Sequence, residues 1–206
     1  MKTYNLMADT ENTWDDLEED AEEKVEYEII SGNENIVFIK AGAGDSARGH
    51  YKDKYFQMAQ RIHERMGATV ICASNPAEPH EETDEETIRA VVSNQRLESF
   101  KLYLWGTSDG AYKTLNLAKR FPETEKWIGV NTSFITLSDL EEKLQDLPYV
   151  KKTIVLGSMD DDYDILFPAM KEKENNTLRT IVVEGADHRF TDMLPEFIQT
   201  IDWLGE

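Results

Sequence analysis

Cysteine is almost missing from this sequence, which limits how the fold can be held together. The chain of 206 residues contains a single cysteine, Cys72, so no intramolecular disulfide can form. No Cys/His cluster of the zinc type is present either. Cys72 lies in the apolar run Ala68–Ala73, which indicates a buried strand and a structural thiol. A chain of this length buries enough surface to fold without disulfides or a metal.

Long apolar stretches are also missing. No run of apolar residues is long enough to span a bilayer, and residues 1–10 lack the basic and apolar regions of a signal peptide. We therefore expect a cytoplasmic protein with no membrane insertion.

Basic residues are scarce relative to acidic ones. The chain has 22 Lys and Arg against 41 Asp and Glu, which gives a formal net charge of -19. Such a charge repels phosphate backbones and argues against nucleic-acid binding. We expect a small-molecule partner, while the composition leaves the oligomeric state open.

Acidic residues dominate the N-terminus. Residues 1–24 are therefore predicted to be a solvated, poorly ordered segment, and residues 25–206 a single domain. Where the domain begins, Val25, Tyr27 and Ile29 alternate with glutamates, which predicts a half-exposed strand near a sheet edge.

Strands and helices then alternate along the chain. Strands are predicted at residues 35–41, 69–73, 101–105, 126–130, 153–156 and 179–183, and helices at residues 54–66, 83–97, 112–121, 139–147, 164–174 and 194–204. The strands are continuous apolar runs, which is typical of a mostly parallel sheet covered by helices on both faces. The predicted fold class is thus a doubly wound α/β domain, in which ligands bind beyond the carboxyl ends of the strands.

One of these strand ends carries the pattern G-x-S-x-G, with Ser108 at its centre. The strand KLYLW precedes the motif and a helix follows it, which is the context that a nucleophile elbow requires. Glycines on either side of Ser108 remove the side chains that would clash in so sharp a turn. The alternative is an ordinary loop in which Ser108 caps the helix.

A serine hydroxyl needs a base, and the chain has four histidines. His188 alone follows a late strand directly, so it is the predicted base. The loop after the preceding strand reads Gly157-Ser158-Met159-Asp160-Asp161-Asp162 and could supply a carboxylate to orient the imidazole. Asp160 is the first choice and Asp162 the rival. The aspartates lack the spacing of a calcium loop, so we predict no metal and no cofactor.

Acyl transfer also needs two amide donors for the oxyanion. The backbone N–H of Asp109, which follows the nucleophile, is predicted to be one donor. The other is predicted to be Ala43 in the glycine-rich turn AGAG that follows the first long strand. This turn matches neither the dinucleotide nor the P-loop fingerprint.

These motifs together resemble the α/β-hydrolase family: the elbow GTSDG, the acid loop GSMD, the late histidine GADH and the glycine turn AGAG. The order Ser108, Asp160, His188 is also the family's chain order. The resemblance covers residues from about 35 to the C-terminus and implies a triad of these residues, with oxyanion donors at Ala43 and Asp109. Only about one helix fits where many members insert a cap, which implies a small, lidless enzyme.

The resulting hypothesis is a serine hydrolase that cleaves an ester or thioester of a small acyl substrate through an acyl-enzyme. Lys40-Ala41-Gly42 stands where many members have a His-Gly pair. For that reason a non-catalytic binding or scaffold protein of the same fold is the main alternative. A peptidase ranks last, since no peptide-binding device is evident.

Overall fold

A computed structural model describes residues 25–76 and 81–205, without the side chains of residues 81–83. The acidic segment of residues 1–24 lies outside this range, so its predicted disorder stays a prediction. The described residues form a seven-stranded sheet with the order β1-β3-β2-β4-β5-β6-β7. No helix in this part of the chain is long and apolar enough to cross a membrane.

Strands and helices alternate as predicted. The strands are β1 (Tyr27–Ile30), β2 (Asn33–Lys40), β3 (Ala68–Ala73), β4 (Lys101–Thr107), β5 (Thr124–Val130), β6 (Lys151–Gly157) and β7 (Leu178–Val183). The helices are α1 (Lys54–Met66), α2 (Glu81–Asn94), α3 (Asp109–Ala118), α4 (Leu137–Gln145), α5 (Tyr163–Glu172) and α6 (Leu194–Gln199), and a 3₁₀ helix at Thr200–Gly205 closes the chain.

The sheet is parallel except at one edge. Strand β1 pairs antiparallel with β3, and Tyr27 lies opposite Ala73. All other pairings are parallel. The predicted edge strand and the mostly parallel sheet are both confirmed. In consequence the carboxyl ends of β2 and of β4 to β7 meet along one rim of the sheet, where the predicted site residues also lie.

Helices cover both faces of the sheet, and each face has its own apolar core. Ile36 and Phe38 of β2 pack in the cluster formed with α2, α3, α4 and α5. Val37 and Ile39, which point the opposite way, pack with α1, α6 and the 3₁₀ helix. Central strands buried on both faces account for the uninterrupted apolar runs in the sequence. The doubly covered sheet is therefore confirmed.

The predicted C-terminal helix at residues 194–204 is partly wrong. The α-helix ends at Gln199 and continues as the 3₁₀ helix, where the Thr200 hydroxyl accepts a hydrogen bond of 3.1 Å from the buried indole of Trp105. Asp202 in the same turn bonds Arg61 and Arg65 of α1. These tertiary contacts favour a tighter last turn than the apolar pattern alone indicates.

A buried ion pair joins the end of β2 to helix α2. Lys40 is 0% exposed, and its ammonium lies 2.8 Å from a carboxylate oxygen of Asp84. The hydroxyl of Tyr27 donates a further hydrogen bond of 2.9 Å to the same carboxylate. Burial lowers the pKa of Lys40, while Asp84 opposes that shift. Asp84 is therefore the main charge partner of the ammonium, with a smaller electrostatic contribution from Asp109.

We predict that Asp84→Leu lowers the free energy of unfolding at neutral pH by roughly 3–5 kcal/mol, because it leaves a buried charge without its partner. The double variant Lys40→Met/Asp84→Leu should recover most of that loss, since it removes both charges from the core. Urea denaturation monitored by tryptophan fluorescence measures both changes. Equal losses in the single and double variants would contradict the dependence of Lys40 on Asp84.

Candidate active site

The turn between β4 and α3 holds Ser108 in a strained backbone conformation. Its φ is 53° and its ψ is -127°, a region that residues with a Cβ rarely occupy. The Ser108 amide donates to the carbonyl of Val130 at 2.8 Å, and its carbonyl accepts from the amides of Ala111 and Ser133. The Ser108 side chain makes no capping hydrogen bond to α3. The ordinary-cap interpretation therefore does not describe this turn.

The two motif glycines are required by close backbone contacts. A Cβ on Gly106 would lie 2.5 Å from the carbonyl oxygen of Gly110. A Cβ on Gly110 would lie 2.1 Å from the carbonyl oxygen of Ala41. Only glycine fits at such distances. The absence of a Cβ at Gly110 therefore lets the end of β2 approach the start of α3 closely. The glycine turn that follows β2 consequently lies next to Ser108.

His188 bridges the serine and the acid loop. Its Nε2 lies 2.9 Å from the hydroxyl oxygen of Ser108, and its Nδ1 lies 2.6 Å from a carboxylate oxygen of Asp160. The three residues come from loops after β4, β6 and β7. Folding thus assembles one hydrogen-bonded series from residues that are 28 and 80 positions apart in the chain.

The structure places Asp160 rather than Asp162 against the histidine. The Asp160 side chain is 3% exposed, and its second carboxylate oxygen accepts the backbone amide of Asp162 at 2.9 Å. Burial alone would raise the pKa of Asp160, but the hydrogen bonds from His188 and from the Asp162 amide outweigh it and lower that pKa. Asp160 is therefore a carboxylate at neutral pH. Asp162 supports it through the main chain.

Proton positions follow from the groups that meet. A carboxylate can only accept, so Nδ1 of His188 carries a proton toward Asp160, and Nε2 of the neutral ring accepts from Ser108. The hydrogen bond to Asp160 raises the pKa of His188 above its ordinary value, and partial burial opposes the shift. The neutral imidazole can therefore take the Ser108 proton at Nε2, since Asp160 stabilises the imidazolium that would form.

A second hydroxyl contacts that of Ser108. The Ser133 hydroxyl oxygen lies 3.1 Å from that of Ser108. Since the one hydroxyl proton of Ser108 is directed to His188, Ser133 must be the donor in this pair. Ser133 therefore supports a partial negative charge on the Ser108 oxygen.

The glycine turn is fixed by side chains from both sides. The Gly42 amide donates to the hydroxyl oxygen of buried Tyr55 at 3.1 Å, and that hydroxyl donates to Asp45 at 2.8 Å. On the other side, the side-chain amide of Asn75 donates to the Ala41 carbonyl at 3.0 Å. The backbone carbonyl of Asn75 accepts a hydrogen bond from the Gly44 amide. The turn therefore holds its shape without the His-Gly pair.

The two predicted oxyanion donors have free amides. Among the described residues, the backbone N–H groups of Ala43 and Asp109 donate to no protein acceptor, whereas the amides of Ala41, Gly42 and Gly44 are all engaged. Asp109 is also the first residue of α3, whose N-terminus favours negative charge. Both predicted donors are therefore available to a ligand beside Ser108.

An open cleft of about 690 Å³ lies beside this group. Ser108 and His188 lie in its wall, together with the glycine turn and apolar side chains. The apolar and aromatic side chains are Tyr51, Tyr55, Phe190, Leu194 and Phe197. The volume is in the range of small-molecule sites. Between β5 and β6 the chain contains only α4, so within the described ranges no cap is inserted between these strands.

The described residues contain no group of three or more His, Cys, Asp or Glu side chains arranged to hold a metal ion. Cys72 is buried in β3, and burial strongly raises the pKa of its thiol. It lies in the core rather than in the cleft, as its apolar surroundings in the sequence indicate.

The sheet order and the strand-end site define the α/β-hydrolase fold. Dienelactone hydrolase from Anabaena variabilis has a similar structure, with a TM-score of 0.62 and 19% identity over 90% of this chain and 93% of that chain. A lidless α/β serine hydrolase from Xanthomonas campestris gives a TM-score of 0.58 at 17% identity, covering 87% of each chain.

A third similar structure is an α/β serine hydrolase homologue from Coxiella burnetii. Its TM-score is 0.62 at 17% identity, over 86% of this chain and 89% of that chain. At such identities the similarity shows the fold and no more. No protein-family model and no curated protein sequence matches the chain.

Four contributing residues were missed by the sequence reasoning: Asn75, Tyr55, Ser133 and Asn131, the last of which hydrogen bonds to the histidine loop. Asn131 and Ser133 directly follow β5, so the strand-end rule that selected the other loops could have found them. Tyr55 lies on the buried face of α1, where the apolar pattern of the helix gives no indication that its hydroxyl has a polar role.

The His188 pKa can be tested directly. We predict that an NMR titration gives His188 a pKa above about 6.5, the ordinary histidine value. Asp160→Asn should move that pKa downward, because it keeps the shape of the contact but removes the charge that stabilises the imidazolium. A His188→Gln variant assigns the resonance. A His188 pKa that is unchanged by Asp160→Asn would contradict the assigned cause.

Proposed function

We propose that this protein is a serine hydrolase that cleaves an ester or thioester of a small acyl substrate through an acyl-enzyme on Ser108. The observation that carries the proposal is the hydrogen-bonded series Ser108–His188–Asp160 at the wall of an open cleft. The similar structures that are named serine hydrolases and dienelactone hydrolase support a hydrolytic reaction.

In the first step Ser108 attacks the acyl carbon while His188 takes its proton at Nε2. Asp160 stabilises the imidazolium that forms, because its buried carboxylate accepts a hydrogen bond from Nδ1–H. Ser133 stabilises the developing charge on the attacking oxygen until the new bond forms. The amides of Ala43 and Asp109 bind the oxyanion.

His188 then protonates the leaving alcohol or thiol, and the bond between that group and the acyl carbon breaks, which leaves the acyl group on Ser108. In the second half of the reaction the same imidazole removes a proton from water, whose oxygen attacks the acyl carbon of the acyl-enzyme. His188 returns this proton to the Ser108 oxygen as its bond to the acyl carbon breaks, which releases the acid and restores the free serine. The uncovered cleft gives water direct access to this intermediate.

The cleft suggests a small, partly apolar acyl group. Phe190, Leu194 and Phe197 offer apolar contact on one side. On another side, Asp45 is already held by Lys54 and His50. Burial opposes ionisation of Asp45, but hydrogen bonds from His50, Lys54 and Tyr55 lower its pKa. These contacts therefore stabilise the turn, while Arg189 and Asp192 place further charged side chains in the wall of the cleft.

We predict that Ser108→Ala lowers kcat/KM for p-nitrophenyl butyrate by about three to six orders of magnitude, since it removes the nucleophile. Ser138→Ala, which removes an exposed hydroxyl on α4, is the matched control and should retain the wild-type rate. Release of p-nitrophenol measures both. A folded wild type that hydrolyses no acyl ester of any chain length would favour the scaffold alternative.

The acid is tested by a matched pair of aspartate variants. Asp160→Asn should lower kcat by as much as about 10⁴-fold, the scale seen when a triad acid loses its charge. Asp162→Asn should stay within a few-fold of wild type, because Asp162 contributes its backbone amide, which the substitution keeps. Steady-state hydrolysis of the same ester gives both values. The reverse order of effects would move the role of acid to Asp162.

A further inference from the structure

One buried side chain is bonded to both the histidine loop and the acid loop. Asn131 directly follows β5 and is 2% exposed. Its φ is 43°, in the left-handed region that asparagine tolerates better than most residues. Its own amide donates to the Val155 carbonyl in β6 at 2.8 Å, which fixes its backbone against the neighbouring strand.

The side-chain amide of Asn131 holds the histidine loop. Its Nδ2 donates to the carbonyl of Asp187 and to that of His188, both at 3.1 Å. These two hydrogen bonds fix the backbone of residues 187 and 188 relative to the end of β5.

The carbonyl oxygen of the same side chain holds the acid loop. Asn131 Oδ1 accepts the backbone amide of Gly157 at 2.8 Å. The Gly157 carbonyl in turn accepts the amide of Asp160 at 3.1 Å. One planar amide group thus uses its donor on the loop that carries the base and its acceptor on the loop that carries the acid.

Asn131 is also close in the chain to Ser133, which contacts Ser108. Ser133, two residues further on, bonds the hydroxyl and the main-chain carbonyl of Ser108. Asn131 and Ser133 together therefore contact all three loops that supply the proposed triad.

We infer that Asn131 is a positioning residue that sets His188 at hydrogen-bond distance from both Ser108 and Asp160. The inference rests on the proposed function. Asparagine suits this place because its side chain both donates and accepts, and because it accepts the left-handed backbone. Aspartate would place a carboxylate oxygen, which can only accept, against the carbonyl oxygens of Asp187 and His188. Glycine would remove all three side-chain hydrogen bonds.

The expected consequence of its loss is a misplaced base rather than weaker substrate binding. A displacement of about 1 Å in a reacting group can cost a factor of about 10² in rate. Asn131→Gly should therefore lower kcat by about 10–100-fold. KM should change little, because no bond of Asn131 is directed to the cleft.

The experiment compares Asn131→Gly with Thr132→Val. Glycine accepts the left-handed φ, so the variant removes the side chain without adding backbone strain. Thr132 is the matched control, since it is adjacent, buried, and among the described residues its hydroxyl has no hydrogen-bond partner. Kinetics on p-nitrophenyl butyrate, the pH profile of kcat, the melting temperature and an NMR titration of His188 are measured for each.

We expect Asn131→Gly to lower kcat and to move the His188 titration toward lower pH, as its contact with Asp160 loosens. Thr132→Val should keep wild-type kinetics and titration. Asn131→Asp, which keeps the acceptor for Gly157, serves if the glycine variant does not fold, and should likewise lower kcat.

The outcomes separate the two claims. A wild type without hydrolytic activity overturns the proposed function, but a His188 titration that moves in Asn131→Gly still supports the positioning of the imidazole. A lower melting temperature with unchanged kcat and unchanged titration would reduce Asn131 to a structural role and overturn the inference.

Discussion

The close approach of the β2 end to the first turn of α3 is the constraint on which the site depends. At Gly110 the two backbones come so near that a Cβ would lie 2.1 Å from the Ala41 carbonyl oxygen. This approach sets the sharp turn that exposes Ser108 and, by the same contact, places the glycine turn beside it. The positions of the proposed nucleophile and of the two free amides are therefore consequences of one packing arrangement between a strand and a helix.

The strained backbone at Ser108 is compensated by several contacts. A residue held in such a conformation costs of order 1–3 kcal/mol and persists only when its surroundings over-determine it. Here β5 accepts the Ser108 amide, and the amides of Ala111 and Ser133 donate to its carbonyl. The same strand, β5, also carries Asn131 at its end. The neighbouring strand of the sheet thus stabilises both the serine turn and the loops that face it.

Much of this arrangement could be predicted from sequence, for an identifiable physical reason. Buried parallel strands require apolar runs, and the sites of such sheets lie after those runs, so searching the strand ends selected Ser108, Asp160 and His188. Helix ends were less predictable, as the 3₁₀ turn after Gln199 illustrates, because contacts such as Trp105 with Thr200 decide them. The choice between Asp160 and Asp162 depended on loop geometry that spacing does not encode.

The supporting residues were harder to predict, since each acts through a hydrogen bond whose partner is distant in sequence. Tyr55 reads as a core residue of an amphipathic helix, and only the folded chain shows that its hydroxyl holds the Gly42 amide. Lys40 likewise lies in an apolar strand, and its partner Asp84 is 44 residues away. Asn131 is an intermediate case. Its position directly after β5 marks it as a candidate site residue, but the sequence does not indicate which two loops its side chain contacts.

The central claim is that the Ser108 hydroxyl is activated by His188, and active-site phosphonylation tests it most directly. Wild-type protein treated with a fluorophosphonate should gain one phosphonyl group, and peptide mapping by mass spectrometry should locate it on Ser108. The rate of modification should fall as the pH drops and His188 takes up its proton. Modification of another residue, or none on folded protein at any pH, would contradict the account.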